Sequence, residues 1–164
     1  MMSPRKTVVL IHGLGGSRLD MWPISKRLRN AGFVTKNWGY RSIGNRIETH
    51  AQRLTEFLSE LKCPTGFHLV THSMGGIIAR AAWAKHPSFH LERMVMLAPP
   101  HRGSHVARKL APLFGWLTPS LKQLSDDQGS FVNRLPNPFL KSAIEFGIVE
   151  STKDRVIRPG ERHA

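Results

Sequence analysis

The residues best placed to do chemistry stand in the run Val70-Thr71-His72-Ser73-Met74-Gly75-Gly76. A serine between a β-type apolar run and a helical stretch sits on a sharp strand-to-helix turn. There it is exposed above a sheet and next to a helix N-terminus, whose N–H groups favour developing negative charge. Such a turn brings strand and helix backbones together and requires small residues, which Gly75 and Gly76 supply on the helix side. Thr71 stands where a glycine is usual, two residues before such a serine. Ser73 is therefore read as a nucleophile. It is also a good N-cap residue type, but a cap needs neither His72 before it nor a double glycine after it.

A second run, His12-Gly13-Leu14-Gly15-Gly16, directly follows the first apolar stretch. Glycines there let backbone N–H groups point into the space above the strand ends. An oxyanion hole needs such donors, together with the N–H of the residue after the nucleophile, here Met74. The competing nucleotide-binding patterns fail on residue type. Gly13-x-Gly15 begins a dinucleotide fingerprint, but Arg18 occupies the place of its third glycine. The second strand runs into Asn37-Trp38-Gly39 without the acid that would hold a ribose, and no Gly-Lys-Ser/Thr forms a P-loop.

Both motifs need strands and helices to hold them. Thr7–Ile11 is a continuous β-branched run, as a strand buried on both faces requires. Further strands are expected at Phe33–Trp38, Phe67–Thr71, Met94–Leu97 and Phe146–Val149. Between them, Leu19–Ala31 reads as a helix stopped by Gly32. Arg46–Leu61 spaces Ile47, Ala51, Leu54, Phe57, Leu58 and Leu61 as an amphipathic helix, and Ser73–Lys85 is a largely buried one. This alternation predicts an α/β fold with a mainly parallel sheet, order 2-1-3-4-5, and helices on both faces. Ligands should bind where the order reverses, above the ends of strands one and three. Both motifs fall there.

The ordered elements strand–His-Gly-x-Gly, strand–His-Ser-x-Gly-Gly and Leu97-Ala-Pro-Pro-His-Arg-Gly-Ser104 resemble the α/β-hydrolase superfamily, in its small serine lipase and esterase branch. The resemblance runs from about Thr7 to about Arg158. It implies acyl-ester hydrolysis through a Ser73 acyl-enzyme, with the oxyanion held by Leu14 and Met74. His12, Gly13 and His72 then shape the substrate side of the site. The family's acid falls on Asp154, in Gly147-Ile-Val-Glu-Ser-Thr-Lys-Asp154-Arg-Val156; Glu150 is an alternative, and Asp126 or Asp127 are poorer ones. The family's order places a histidine after a further strand, and His163 stands in the short tail that follows Arg155. A truncated hydrolase lacking the usual histidine-bearing segment is the expectation. The alternative is a non-catalytic α/β-hydrolase-like binding scaffold.

Composition bounds these readings. With 164 residues, 40% hydrophobic, the chain is expected to form one domain, residues 1–164, with a lid-like insert at about 105–140. Four prolines between Pro112 and Pro138, with Gly115 and Gly129, interrupt any long helix there, while Leu113, Phe114, Trp116 and Leu117 make it apolar. Lys+Arg exceed Asp+Glu by 24 to 11, and nine of the basic residues, against the single acid Asp20, lie between Met1 and Arg46. An anionic membrane surface is a possible partner beside a small-molecule or lipid ester substrate, whereas nucleic acid has only the charge to support it. The histidine pairs four apart (68/72, 86/90, 101/105) lie on a strand, across Pro87 or beside Gly103. No metal and no cofactor is expected. A lone Cys63 and the lack of a long apolar run or signal peptide predict a cytoplasmic protein.

Overall fold

The computed structural model describes residues 5–61, 63, 65–87, 90–136 and 144–150. Strand β1 (Thr7–Ile11) is buried from Val8 to Ile11, as a strand covered on both faces must be. It lies between β2 (Val34–Trp38) and β3 (Phe67–His72), with β4 (Leu91–Leu97) and β5 (Glu145–Val149) beyond. The order is β2-β1-β3-β4-β5, all pairs are parallel, and the expected α/β sheet is met. Register aligns Ile11 with Thr71, and His72 with Leu97, which in turn faces Val149. The carboxyl ends of β1, β3, β4 and β5 therefore reach one edge of the sheet.

Helices cover both faces. Helix α2 (Ile47–Glu60) turns Ile47, His50, Ala51, Leu54 and Leu58 inward at three- and four-residue steps. Helix α3 (Met74–Lys85) is buried on every side from Met74 to Ala82, and packs with Val9, Ile11, Leu69, Met94 and Met96 in the main core. On the other face, α1 (Trp22–Asn30) lays Ile24 and Leu28 against Val8 and Leu10. This helix starts later than its apolar pattern implies, because Pro23 sits in its first turn and residues 19–21 form a turn. Strand β4 starts earlier, at Leu91. Its polar residues are satisfied across strands: Glu92 pairs with Lys6, and Arg93 Nε lies 2.7 Å from Glu145 Oε2.

Among the described residues, three short helices lie between β4 and β5: α4 (His105–Phe114), α5 (Pro119–Gln123) and α6 (Phe131–Arg134). Ser104 caps α4 by accepting from the Ala107 N–H at 3.4 Å, and Pro112 is accommodated inside the helix. Arg80 of α3, only 4% exposed, donates to the carbonyls of His101, Leu135 and Pro136. It thereby ties both ends of this segment to the core, and burial lowers its pKa to about 10. Gln123 Oε1 accepts from the Ile47 N–H at 2.6 Å and joins α5 to the start of α2. Among the described residues no helix is long and apolar enough to cross a membrane.

Candidate active site

Ser73 occupies the turn between β3 and α3 with φ 49° and ψ −123°. Steric repulsion makes positive φ rare for a residue with a Cβ, and among the described residues only Ser73 and Ala98 adopt it without being glycine. Its side chain makes no cap hydrogen bond to the helix. The capping alternative therefore does not describe this turn; the backbone is a strained elbow. Its N–H donates to the Leu97 carbonyl at 2.9 Å, which fixes the elbow against the end of β4.

The glycines around the elbow are required by contact. A Cβ on Gly75 would lie 2.7 Å from the His12 carbonyl oxygen and 2.8 Å from that of Ile11. A Cβ on Gly13 would lie 3.0 Å from the Ser73 Cβ and 3.2 Å from His72 Nδ1. These two positions let the loop after β1 and the start of α3 meet directly beside Ser73. Gly76 accounts for the unusual Thr71. A Cβ there would meet Thr71 Oγ1 at 3.2 Å, so the bulk added at 71 fills room left open at 76. Thr71 is fully buried, and its hydroxyl has no hydrogen-bond partner among the described residues.

The loop after β1 is held from below. His12 is fully buried, and its Nδ1–H donates to the Gly13 carbonyl at 2.9 Å. Its ring stacks on Tyr40 at 4.2 Å, and Tyr40 stacks in turn on Trp38 at 4.6 Å. The Tyr40 hydroxyl donates to the His12 carbonyl at 2.9 Å, the same oxygen that packs over Gly75. His50 of α2 meets Tyr40 edge-on at 4.8 Å; burial above all, then Arg53 and His12, pushes its pKa down to about 4. Within the loop, the Gly15 N–H donates to Ser42 Oγ and the Gly16 N–H to the Gly13 carbonyl. Among the described residues, the N–H groups of Leu14 and Met74 have no acceptor.

Leu14 and Ser73 line one cavity of about 210 Å³ with Pro100, Ser104, Val106, Leu110 and other apolar side chains of α4 and α5. A larger, more open cavity of about 540 Å³ lies elsewhere, between Arg80, His101, Arg102 and Asn133. The smaller one is lined by Ser73 and is the candidate site. Such a site offers a hydroxyl on a strained turn, free backbone donors beside it and an apolar pocket. Chemically, that suits attack on a carbonyl carrying an apolar group.

The structure thus brings His12, Gly13, Leu14, His72, Ser73 and Met74 together at the ends of β1 and β3. Asp154 and His163 lie outside the described residues. Glu150 directly follows Val149, which is in register with Leu97 and so with His72, two strand spacings of ~4.8 Å each from β3. The poorer acid candidates are engaged elsewhere. Asp126 Oδ1 lies 3.0 Å from Arg108 Nε, and Asp127 accepts from the Ser125 hydroxyl. Sequence reasoning gave no role to Tyr40, Ser42 or Arg80. Their partners lie 28, 27 and up to 56 residues away, too far for any local spacing to point to them.

The fold agrees with the comparison to known families. The alpha/beta hydrolase family matches residues 8–159, and the chain belongs to it. No curated protein matches it significantly. Among solved structures, it is similar to the mature form of Bacillus licheniformis lipase BlEst2 (TM-score 0.66, 22% identity, 74% of this chain and 55% of that one). It is also similar to phospholipase PlaB from Legionella pneumophila (TM-score 0.71, 15% identity, 98% of this chain and 45% of that one). A third is an extracellular alpha/beta-hydrolase from a Paenibacillus species (TM-score 0.53, 21% identity, 63% and 46%). At these identities the likeness is one of fold. The chain spans about half the length of the Bacillus lipase and less of the other two.

Proposed function

We propose that the chain is a serine hydrolase of carboxylic esters, lipase- or esterase-like. The observation that carries this reading is Ser73 at φ 49°, uncapped, opening into an apolar cavity. In the reaction, Ser73 Oγ attacks the ester carbonyl while a histidine takes its proton. The N–H groups of Leu14 and Met74 receive the oxyanion as negative charge develops. Collapse expels the alcohol, which takes the proton back, and leaves an acyl-Ser73 ester that water hydrolyses.

Asp154 and His163 are proposed as the orienting acid and the base, with Glu150 the alternative acid at the end of β5. The segment from about 105 to 140 is proposed as a lid, because Val106, Ala107, Leu110, Leu121 and Leu124 form the wall facing Leu14 and Ser73. A small-molecule or lipid ester is the substrate class, and the apolar lining supports an acyl chain on the carbonyl side. Similarity to a lipase and a phospholipase supports the same class. A cytoplasmic location belongs to this proposal, on the single free Cys63.

Hydrolysis of p-nitrophenyl butyrate and octanoate by the folded chain, set against Ser73→Ala, tests the reading. Turnover that disappears in Ser73→Ala supports it. Turnover no greater than that of Ser73→Ala in a folded protein rejects it in favour of the non-catalytic binding scaffold.

A further inference from the structure

Five of the eleven exposed large hydrophobic side chains among the described residues crowd into one short stretch: Leu110, Leu113, Phe114, Trp116 and Leu117. Trp116 is 80% exposed and Leu113 67%. Isolated exposed apolar residues are ordinary, but a contiguous group marks a contact surface. At ~100° per residue, Val106, Leu110, Leu113 and Phe114 fall within an arc of about 100° on α4, while Arg108 and Lys109 lie outside it. The arc begins at the active-site cavity, since Val106 and Leu110 line it. It continues one turn outward to Leu113 and Phe114 and ends at Trp116. An unbroken apolar track therefore leads from the protein surface to the cavity beside Ser73.

Charge identifies what this surface fits. Between β4 and Pro136, the basic residues Arg102, Arg108, Lys109, Lys122 and Arg134 face only two acids, Asp126 and Asp127. Asp126 is already paired with Arg108. The stem of Lys122 packs over Gly115, so this cation flanks the turn joining Phe114 to Trp116. The whole chain carries a formal charge of +13. A helix with Trp, Phe and Leu on one side and Lys and Arg on the other lies in the plane of a membrane interface, and anionic headgroups strengthen its attachment.

We propose that α4 and the turn after it, residues 106–117, dock on an anionic lipid bilayer. The apolar arc enters the headgroup region, and Lys109 and Lys122 meet the phosphates. A lipid acyl group would then move along the arc into the Ser73 cavity without crossing water. This assigns the ester-hydrolase reading a source for its substrate and rests on that reading for its purpose, although the docking itself needs no catalysis.

The experiment is co-sedimentation of the folded chain with vesicles of phosphatidylglycerol and phosphatidylcholine in equal parts, and with vesicles of phosphatidylcholine alone. The Leu113→Glu/Trp116→Glu double variant is the comparison; both sites are solvent-exposed, so an unchanged thermal midpoint is expected. The chain should bind the anionic vesicles at least ~10-fold more tightly than the neutral ones, on the order of fivefold per basic residue at the surface. Binding should weaken at ~1 M salt, where the screening length is only ~3 Å. The double variant should lose ~10-fold or more of the affinity, because each apolar side chain withdrawn from water contributes on the order of tenfold.

No binding to anionic vesicles, equal binding to both compositions, or unchanged binding by the double variant overturns the proposal. So does concentration-dependent self-association that the double variant abolishes without vesicle binding, since a second copy of the chain then covers the patch. Ser73→Ala is expected to bind as wild type does. Absent ester hydrolysis with intact vesicle binding removes the hydrolase reading alone. Intact hydrolysis without vesicle binding removes the docking surface alone.

Discussion

Replacing Ser73 by glycine and by alanine separates a strained elbow from a helix cap, because the two readings place Ser73→Gly on opposite sides of wild type. The backbone at φ 49°, ψ −123° lies where a residue with a Cβ is destabilised by about 1–3 kcal/mol. Glycine removes that strain but loses about 0.5–1 kcal/mol more conformational entropy on folding than alanine. Setting ~2 kcal/mol of relieved strain against ~0.75 kcal/mol of entropy leaves Ser73→Gly about 1 kcal/mol more stable than wild type. For a chain of this size, that is about 2–4 °C in thermal midpoint. Ser73→Ala keeps the strain and loses no cap bond, so it should stay within ~0.5 kcal/mol of wild type. Were Ser73 a cap, alanine would cost about 1 kcal/mol and glycine a few tenths. Urea or thermal unfolding of the three proteins decides the matter. Ser73→Gly falling below wild type, with Ser73→Ala losing about 1 kcal/mol or more, refutes the elbow.

Three further outcomes follow from the same contacts. Gly75→Ala puts a Cβ 2.7 Å from the His12 carbonyl oxygen, and backbone on both sides must shift. A loss of about 1–3 kcal/mol is expected by denaturant unfolding, with slower ester turnover because the shift passes into the Leu14 loop. Tyr40→Phe removes the hydrogen bond to the His12 carbonyl while keeping the stacked rings. It should cost roughly 1 kcal/mol of stability, and lower kcat while leaving KM close to wild type. His50 has its pKa pushed down to about 4 from 6.5, so the unfolded chain binds its proton first as pH falls. Stability contributed by keeping this imidazole neutral is present above pH 6.5 and is lost progressively between 6.5 and about 4. His50→Leu should flatten that part of the unfolding-versus-pH curve; a curve unchanged in shape contradicts the assignment.

Much of the fold could be read because its signals are local. The β-branched run of β1 and the buried pattern of α3 follow from residue type at consecutive positions, and each strand contains most of the apolar run that predicts it. The elbow was legible for the same reason: Ser73, Gly75 and Gly76 are neighbours in sequence as well as in space. What was not legible depends on partners far along the chain. Tyr40 holds the loop after β1 through a carbonyl 28 residues away. Arg80 reads as an ordinary helix cation until its guanidinium is found buried among the carbonyls of residues 101, 135 and 136. The start of β4 was missed because Glu92 and Arg93 are polar, and their cross-strand ion pairs cannot be seen from spacing. The compensation of Thr71 by Gly76 is likewise a contact between the two sides of the turn, and only three dimensions show it.

The most direct test of the central claim is covalent labelling of the folded chain with a fluorophosphonate, followed by mass spectrometric mapping of the modified peptide. An activated serine attacks the phosphorus, displaces fluoride and retains the phosphonyl group. A single adduct on Ser73, absent from Ser73→Ala, is predicted. Folded protein that takes up no label, or label on another residue while Ser73 stays unmodified, contradicts it.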